Sequence, residues 1–402
     1  MARPQRIVVL GHGIAALTAA ESVRDHGFDG ELTIVGDESH APYSRPALSK
    51  AALLDDDLAA LSLPASTHGA TELLGRLAAH VDLDRSSVRL DDGQELPWDG
   101  LVVATGSRAR TLVPPGPGAG PDRDRPKELT LRGLDDVRLL RRRLEGRPSV
   151  VMVGGGPLGM EIASGAVGAG CTVTLVSEGP PMLRHLGPDL SEVLVTAALE
   201  HGLRLVTVPC AQIRGSGPQS QVVLDDGSTL DADVVITAAG DLPNLEFLAA
   251  SGLLTNGRLE VDSRGRVLVG GRARPDVVAA GDVATFPTGR GTMRVPLWTA
   301  AIDQAKVAAP ALLLGDSAPE LDFRPYFWTE QWGVNLKASG QLPPVGSPEV
   351  VDGDLSAGSA LLRWAPDAPE GPGAAVAVNY RIPVPRLRRL AHPQPAPDQV
   401  AV

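Results

Sequence analysis

The chain has 402 residues, 43% hydrophobic and 21% charged, with a formal net charge of −11; this composition predicts a soluble globular protein of about two to four domains. The surplus of acid argues against a nucleic-acid partner, and no apolar run approaches the ~20 residues of a membrane helix. Cys171 and Cys210 are the only cysteines, which excludes a disulfide framework and a metal-binding cysteine pair; with no secretory signal before the first strand, a cytoplasmic location is expected.

The first element is a buried strand, Arg6-Ile-Val-Val-Leu10, which runs into Gly11-x-Gly13-x-x-Ala16 and an alanine-rich helix. Gly11 and Gly13 let bare backbone turn tightly against a pyrophosphate, and Ala16 lets the helix pack close to the strand. The helix N-terminus favours negative charge there. A second strand, Glu31 to Gly36, ends in Asp37 and Glu38, where an acid can hold a ribose hydroxyl. Next comes Val88 to Gly106, in which Asp91-Asp92-Gly93 turns a hairpin and an apolar strand ends at Ala104-Thr105-Gly106. Residues 113 to 126 hold five prolines and three glycines, the mark of a linker.

A second glycine fingerprint follows, Val150-Val-Met-Val-Gly-Gly-Gly-Pro-Leu-Gly-Met-Glu161, with its own next strand, Thr172 to Ser177. Val222 to Gly240 repeats the pattern of Val88 to Gly106 without a gap. The chain is therefore read as an internal duplication of two nucleotide-binding units, with extra residues of the first half near positions 40 to 60. After Gly240, a strand at Pro275 to Ala279 leads to a Gly281-Asp282 turn, and Trp298 to Leu314 reads as a helix. Tyr326 opens a last segment with alternating Val334, Leu336 and Ala338, read as a small antiparallel β-rich domain with long loops.

The order of these motifs resembles the FAD-dependent pyridine nucleotide oxidoreductases, in the ferredoxin reductase branch that serves cytochrome P450 and aromatic-ring dioxygenase systems. The matching pieces include Pro42-Tyr-Ser-Arg-Pro-Ala-Leu-Ser-Lys50, Trp298-Thr-Ala-Ala301 and Tyr326-Phe-Trp-Thr-Glu-Gln331. Related branches carry a redox cysteine where this chain has Leu48-Ser49-Lys50, so dithiol chemistry is not expected. The resemblance implies an α/β fold with two Rossmann-like domains of the glutathione-reductase kind and a small α+β C-terminal domain. Its expected boundaries are 1–112 with 241–318 for FAD, 113–240 for NAD(P)H, and 319–402 for the C-terminal domain.

It also implies site residues. FAD falls to Gly11, Gly13, Ala15, Ala16, Asp37, Glu38, Arg45, Lys50, Val81, Ala104, Thr105, Gly106, Asp282, Trp298, Ala301 and Trp328. NAD(P)H falls to Gly154, Gly156, Leu158, Gly159, Glu161, Ser177, Glu178, Arg184 and Gly240. Lys50 and Glu161 are the residues singled out for chemistry, as a charge pair at the nicotinamide site. No metal is implied; the expected acceptor is a 2Fe–2S or similar ferredoxin, steered by arginines at 381, 386, 388 and 389 in a stretch without acids. Three departures stand out: Ser177 occupies the usual place of the ribose-binding acid, with Glu178 one residue late and Arg184 near, which leaves NADH and NADPH both open; Pro157 replaces an aromatic residue; and Asp241 adds an acid after Gly240. Two other readings stay open, an FAD oxidoreductase acting directly on a small molecule and a flavin-bound sensor or interaction protein with negligible turnover.

Overall fold

A computed structural model describes residues 3–54, 58–113, 128–214, 220–366 and 373–392. Apart from Val113, the expected linker lies outside the described residues. The chain divides into two compact units.

The first unit comprises Met1–Ser44, Ala59–Arg108 and Leu242–Phe323. Its six-stranded sheet has the order Arg266–Val269, Arg272–Ala279, Gly100–Val103, Arg6–Leu10, Glu31–Gly36, Thr71–Leu74. Every neighbouring pair is parallel except the first. A parallel strand covered on both faces reads as a continuous apolar run, and Arg6–Leu10 shows why. Ile7 and Val9 enter a cluster with Ala16, Ala19 and Ala20 of helix Ile14–Asp25 and with Ala305 and Ala308 of helix Trp298–Leu314. Val8 and Leu10 join Trp98, Leu101 and Phe286 on the opposite face. An antiparallel sheet of Ala78–Asp82, Ser87–Leu90 and Glu95–Pro97 completes the accessory hairpin.

The second unit comprises Arg45–Leu58, Ala109–Asp241 and Arg324–Val402. Its parallel sheet has the order Arg204–Thr207, Thr172–Ser177, Ser149–Val153, Val234–Thr237, Glu128–Leu129. Ala211–Arg214, Ser220–Leu224 and Thr229–Ala232 repeat the accessory sheet. The repetition extends to the turns. Gly93 and Gly227 sit at φ 87° and 82°, and Asp92 and Asp226 each accept the backbone N–H two residues on, at 3.0 and 2.8 Å, as Asx turns do.

From Tyr326 the chain builds a five-stranded antiparallel sheet, ordered Tyr326–Gln331, Val334–Gly340, Ala374–Val378, Ser359–Trp364, Glu349–Asp354. Helix Val384–Ala391 sends Leu387 and Ala391 into the core of this segment. That helix starts directly after Pro383 and has Pro385 in its first turn, where a missing N–H removes no helical bond. No helix among the described residues is long and apolar enough to cross a membrane.

Candidate functional site

The two glycine fingerprints share one backbone device. Gly11 and Gly154 lie at φ 114° and 117°, and a side chain on either would run into a backbone carbonyl, of Ala104 and Ala238 respectively. Their amides donate to Val35 and Val176, at 2.7 and 2.8 Å, so each turn is pinned to the neighbouring strand. Gly13 and Gly156 are extended N-caps with no side-chain cap, at the heads of helices Ile14–Asp25 and Pro157–Gly168. A Cβ at Gly13 would meet nothing within 4 Å. Such a helix end leaves its first-turn amides and dipole available to an anion. At Gly159 a Cβ would strike the Gly154 carbonyl, which keeps this position small beside Leu158. Pro157 occupies the first helical position, where proline is favourable.

In the first unit, Gly11, Asp37, Glu38 and Ala104 to Gly106 follow the carboxyl ends of strands of the six-stranded sheet, while Val81 lies in the accessory sheet and Trp298 and Ala301 in helix Trp298–Leu314. Ala15 and Ala16 are buried in helix Ile14–Asp25, Val81 is buried in strand Ala78–Asp82, and Ala104 is buried just after strand Gly100–Val103. Thr105 Oγ1 donates to the Asn244 carbonyl at 2.9 Å, while the Asn244 amide donates to the Gly106 carbonyl at 3.0 Å. Asp37 is exposed just past the strand end, and the Glu38 carboxylate accepts the Tyr43 hydroxyl proton. Ser107 Oγ donates to Asp282 Oδ2 at 3.3 Å. The turn holding Asp282 is fixed from helix Trp298–Leu314, where Gln304 Oε1 accepts the Gly281 amide at 2.8 Å and Ala301 lies beside Gly281. Arg45, Lys50 and Trp328 belong to the second unit.

In the second unit, Ser177 is 8% exposed and turns towards Gly155, whereas Glu178 is exposed and pairs with Arg184 at 2.9 Å. The acid just past the strand end is therefore Glu178, and it holds the Arg184 guanidinium. Gly240, at φ 99°, accepts the Arg110 amide at 3.0 Å. The His185 ring lies against Gly156; burial and the nearby Arg184 cation push its pKa down.

Lys50 and Glu161, 111 residues apart in sequence, are brought together at 2.9 Å. Glu161 is 6% exposed in its helix and accepts three donors. Oε2 takes Lys50 Nζ and the Ser49 hydroxyl; Oε1 takes Thr329 Oγ1 at 2.7 Å. Lys50 Nζ also donates to the Pro46 carbonyl at 3.1 Å and sits 5.9 Å from the centre of the Trp328 ring, within reach of a cation–π attraction. Trp328 in turn stacks on Tyr326. Arg45 Nη1 donates to the Arg132 carbonyl at 2.8 Å.

Sequence reasoning does not single out Ser49, Thr329, Gln331, Asn244 or Gln304, although the first three lie in the stretches Pro42 to Lys50 and Tyr326 to Gln331. Strand alternation places Thr329 and Gln331 on one face, and a polar residue at a buried phase is a usable signal. Another such group surrounds the first fingerprint: His12 Nε2 lies 3.2 Å from Glu72, and the buried His68 lies 3.7 Å from the same carboxylate. Burial pushes the His68 pKa down. Both cysteines are free; Cys171 is buried beside the Leu144 carbonyl, its pKa pushed up by burial, and Cys210 is exposed.

The chain is 35% identical to the ferredoxin–NAD(+) reductase component of the anthranilate 1,2-dioxygenase system of Burkholderia cepacia, over 98% of this chain and 96% of that one. It is 35% identical to rhodocoxin reductase of Rhodococcus erythropolis, over 88% of this chain and 82% of that one. Among solved structures, the ferredoxin reductase for the CYP199A2 system of Rhodopseudomonas palustris superposes with a TM-score of 0.83 at 29% identity, covering 94% and 91% of the two chains. The paired glycine cradles are thus joined by similarity over nearly the full length, and residues 5–305 match the family described as pyridine nucleotide-disulphide oxidoreductase. The chain belongs to that family and is a nicotinamide-nucleotide-dependent oxidoreductase of mixed α/β fold.

Proposed function

We propose that the chain is a flavoprotein reductase that delivers electrons from NAD(P)H to a 2Fe–2S or similar ferredoxin serving a cytochrome P450 or other oxygenase. FAD, when bound, supplies the step that accepts a hydride and releases its electrons one at a time. In this reading, residues 1–112 with 241–318 hold FAD, through Gly11, Gly13, Ala16, the acids at 37 and 38, and the Gly281-Asp282 turn. Residues 113–240 hold NAD(P)H, with the pyrophosphate at the Gly156 helix end, and 319–402 form the C-terminal domain. The relatives named for NAD(+) and the acid at Glu178 support NADH as the donor, because a carboxylate grips a 2′-hydroxyl and repels a 2′-phosphate. The location we assign is cytoplasmic.

The observation that carries this reading is the buried Lys50–Glu161 pair, whose lysine ends the Leu48-Ser49-Lys50 stretch that resembles the ferredoxin reductase branch. A paired cation and carboxylate orient and exchange charge without covalent chemistry, which suits a dehydrogenase half-reaction coupled to an external acceptor. The test is an anaerobic titration of the flavin-loaded protein with NADH and NADPH, followed in visible light, then turnover with a purified ferredoxin. We expect rapid bleaching by NADH and ferredoxin-dependent turnover. A protein that takes up no flavin, or a flavin that does not bleach, defeats the proposal; bleaching without turnover on any ferredoxin moves it to direct action on a small molecule.

A further inference from the structure

The Glu161 carboxylate is held from the strand Tyr326–Gln331 by a directional chain of hydrogen bonds. Thr329 is fully buried and Gln331 is 4% exposed. Gln331 Nε2 donates to Thr329 Oγ1 at 2.8 Å, and Thr329 Oγ1 lies 2.7 Å from Glu161 Oε1. A hydroxyl has one proton to give. Because the Thr329 oxygen accepts from the Gln331 amide, its proton is directed at Glu161, and a hydrogen bond to a carboxylate is the stronger choice for that proton. The reverse orientation of the Gln331 amide would draw the Thr329 proton away and leave Glu161 Oε1 facing lone pairs. With Ser49 on the other oxygen, the carboxylate keeps two hydroxyl donors whatever Lys50 does.

We propose that Thr329 and Gln331 are positioning residues for the hydride step: they fix the Glu161 carboxylate so that Lys50 can change partners without leaving a bare buried charge. The proposal rests on the reading of Lys50 and Glu161 as the residues serving that step. Lys50 already shares its ammonium among Glu161, the Pro46 carbonyl and the Trp328 ring. Its donors can therefore be redistributed while Glu161 stays in place. Trp328 and Thr329 are adjacent in one strand, so the same element sets the ring beside Lys50 and the hydroxyl beside Glu161.

The test uses the flavin-loaded full chain and stopped-flow reduction over a series of NADH concentrations, which separates the limiting rate from nucleotide affinity. NAD(+) binding and the thermal midpoint are measured separately. Thr329→Val is expected to lower the limiting rate about tenfold with nucleotide affinity nearly unchanged, because a hydrogen bond to a charged group is lost. Thr329→Ser keeps the hydroxyl and is expected to stay near the parent rate. Gln331→Glu presents an acceptor to Thr329, turns its proton away, and is expected to behave like Thr329→Val. In a Glu161→Gln background, Thr329→Val should add little further loss.

A slow Glu161→Gln with a Thr329→Val at the parent rate overturns the positioning role alone. Slow Thr329→Val and Thr329→Ser variants with lowered midpoints show a packing role and overturn it as well. Additive losses in the double variant also overturn it. A Glu161→Gln variant at the parent rate overturns the reading of Glu161 and this proposal together.

Discussion

Removing Lys50 and removing Glu161 are unequal perturbations, and the hydrogen-bond pattern sets their order. In Lys50→Met the replacement fills the stem's volume, and Glu161 retains the Ser49 and Thr329 hydroxyls. Glu161 then keeps two hydrogen bonds but no counter-charge, so the cost falls at the lower end of that for a broken buried pair, about 3 kcal/mol. In Glu161→Ala three donors lose their acceptor at once. Lys50, whose side chain is 15% exposed, keeps only the Pro46 carbonyl and the Trp328 ring among the contacts described above, and the two hydroxyls are left buried. Breaking a buried pair in this way costs about 3–5 kcal/mol. The assay is chemical unfolding at one fixed, saturating FAD concentration, since a bound ligand shifts apparent stability by mass action. The same samples give the flavin reduction rate and the FAD dissociation constant. We expect Glu161→Ala to be the less stable variant, and both variants to slow reduction far more than they weaken FAD binding. A Lys50→Met variant as unstable as Glu161→Ala would show that the hydroxyls do not carry the carboxylate.

Nucleotide choice should turn on the end of strand Thr172–Ser177. The exposed Glu178–Arg184 pair contributes little stability in itself, so Glu178→Gln should free Arg184 and raise the NADPH-to-NADH ratio of kcat/KM several-fold, while Ser177→Glu should lower it; ratios unchanged in both would show that this strand end does not meet the ribose. Gly11→Ala forces a side chain at φ 114° into the Ala104 carbonyl, and purified protein should contain little flavin, measured as the visible-to-ultraviolet absorbance ratio against a parent holding one non-covalent FAD per chain. For the acceptor, Arg381, Arg386 and Arg389 are exposed while Arg386 feels the Asp352 carboxylate. Ferredoxin-dependent cytochrome c reduction should therefore fall with salt, as exposed charges are screened beyond about 8 Å at physiological ionic strength, and Arg381→Glu with Arg389→Glu should lower it further; a rate indifferent to both removes this face.

Much of the scaffold is legible in the sequence because it is written in local patterns. Glu31–Gly36, Thr172–Ser177 and Trp298–Leu314 are elements whose apolar content and flanking breakers define them without tertiary help. The duplication was legible for the same reason, since both hairpins turn on Asp-Asp-Gly. The helix Val384–Ala391 was not, because two prolines at its start read as punctuation until its apolar positions are seen packed in the C-terminal core. At the candidate site, resemblance points to Lys50 and Glu161, and the fold brings them into contact. The roles of Thr329 and Ser49 are not legible because a buried polar side chain has no meaning until its partner is known, and Glu161 lies 168 and 112 residues from them. Resemblance implies Glu178 and Arg184 one by one, but their mutual pairing depends on a loop conformation that no periodicity encodes.

The two halves of the duplication differ at one buried position in the helix that follows each cradle. Aligning the fingerprints sets Gly11 against Gly154, Gly13 against Gly156 and Ala16 against Gly159, and the same alignment sets Thr18 against Glu161. Both of these last positions are buried in the helix that follows the cradle, Thr18 at 8% and Glu161 at 6% exposure. A threonine there can be satisfied within its own helix, so the first cradle needs no outside donors. A carboxylate at that depth cannot be, because burying a charge is tolerable only when it is paired and hydrogen-bonded. Its donors come from Arg45–Leu58, which supplies Ser49 and Lys50, and from the C-terminal sheet, which supplies Thr329. Neither segment has a counterpart in the duplicated pattern. The glycine cradle was thus repeated with its backbone geometry intact, and the single acid placed in the second copy obliges two unrepeated segments to pack against it.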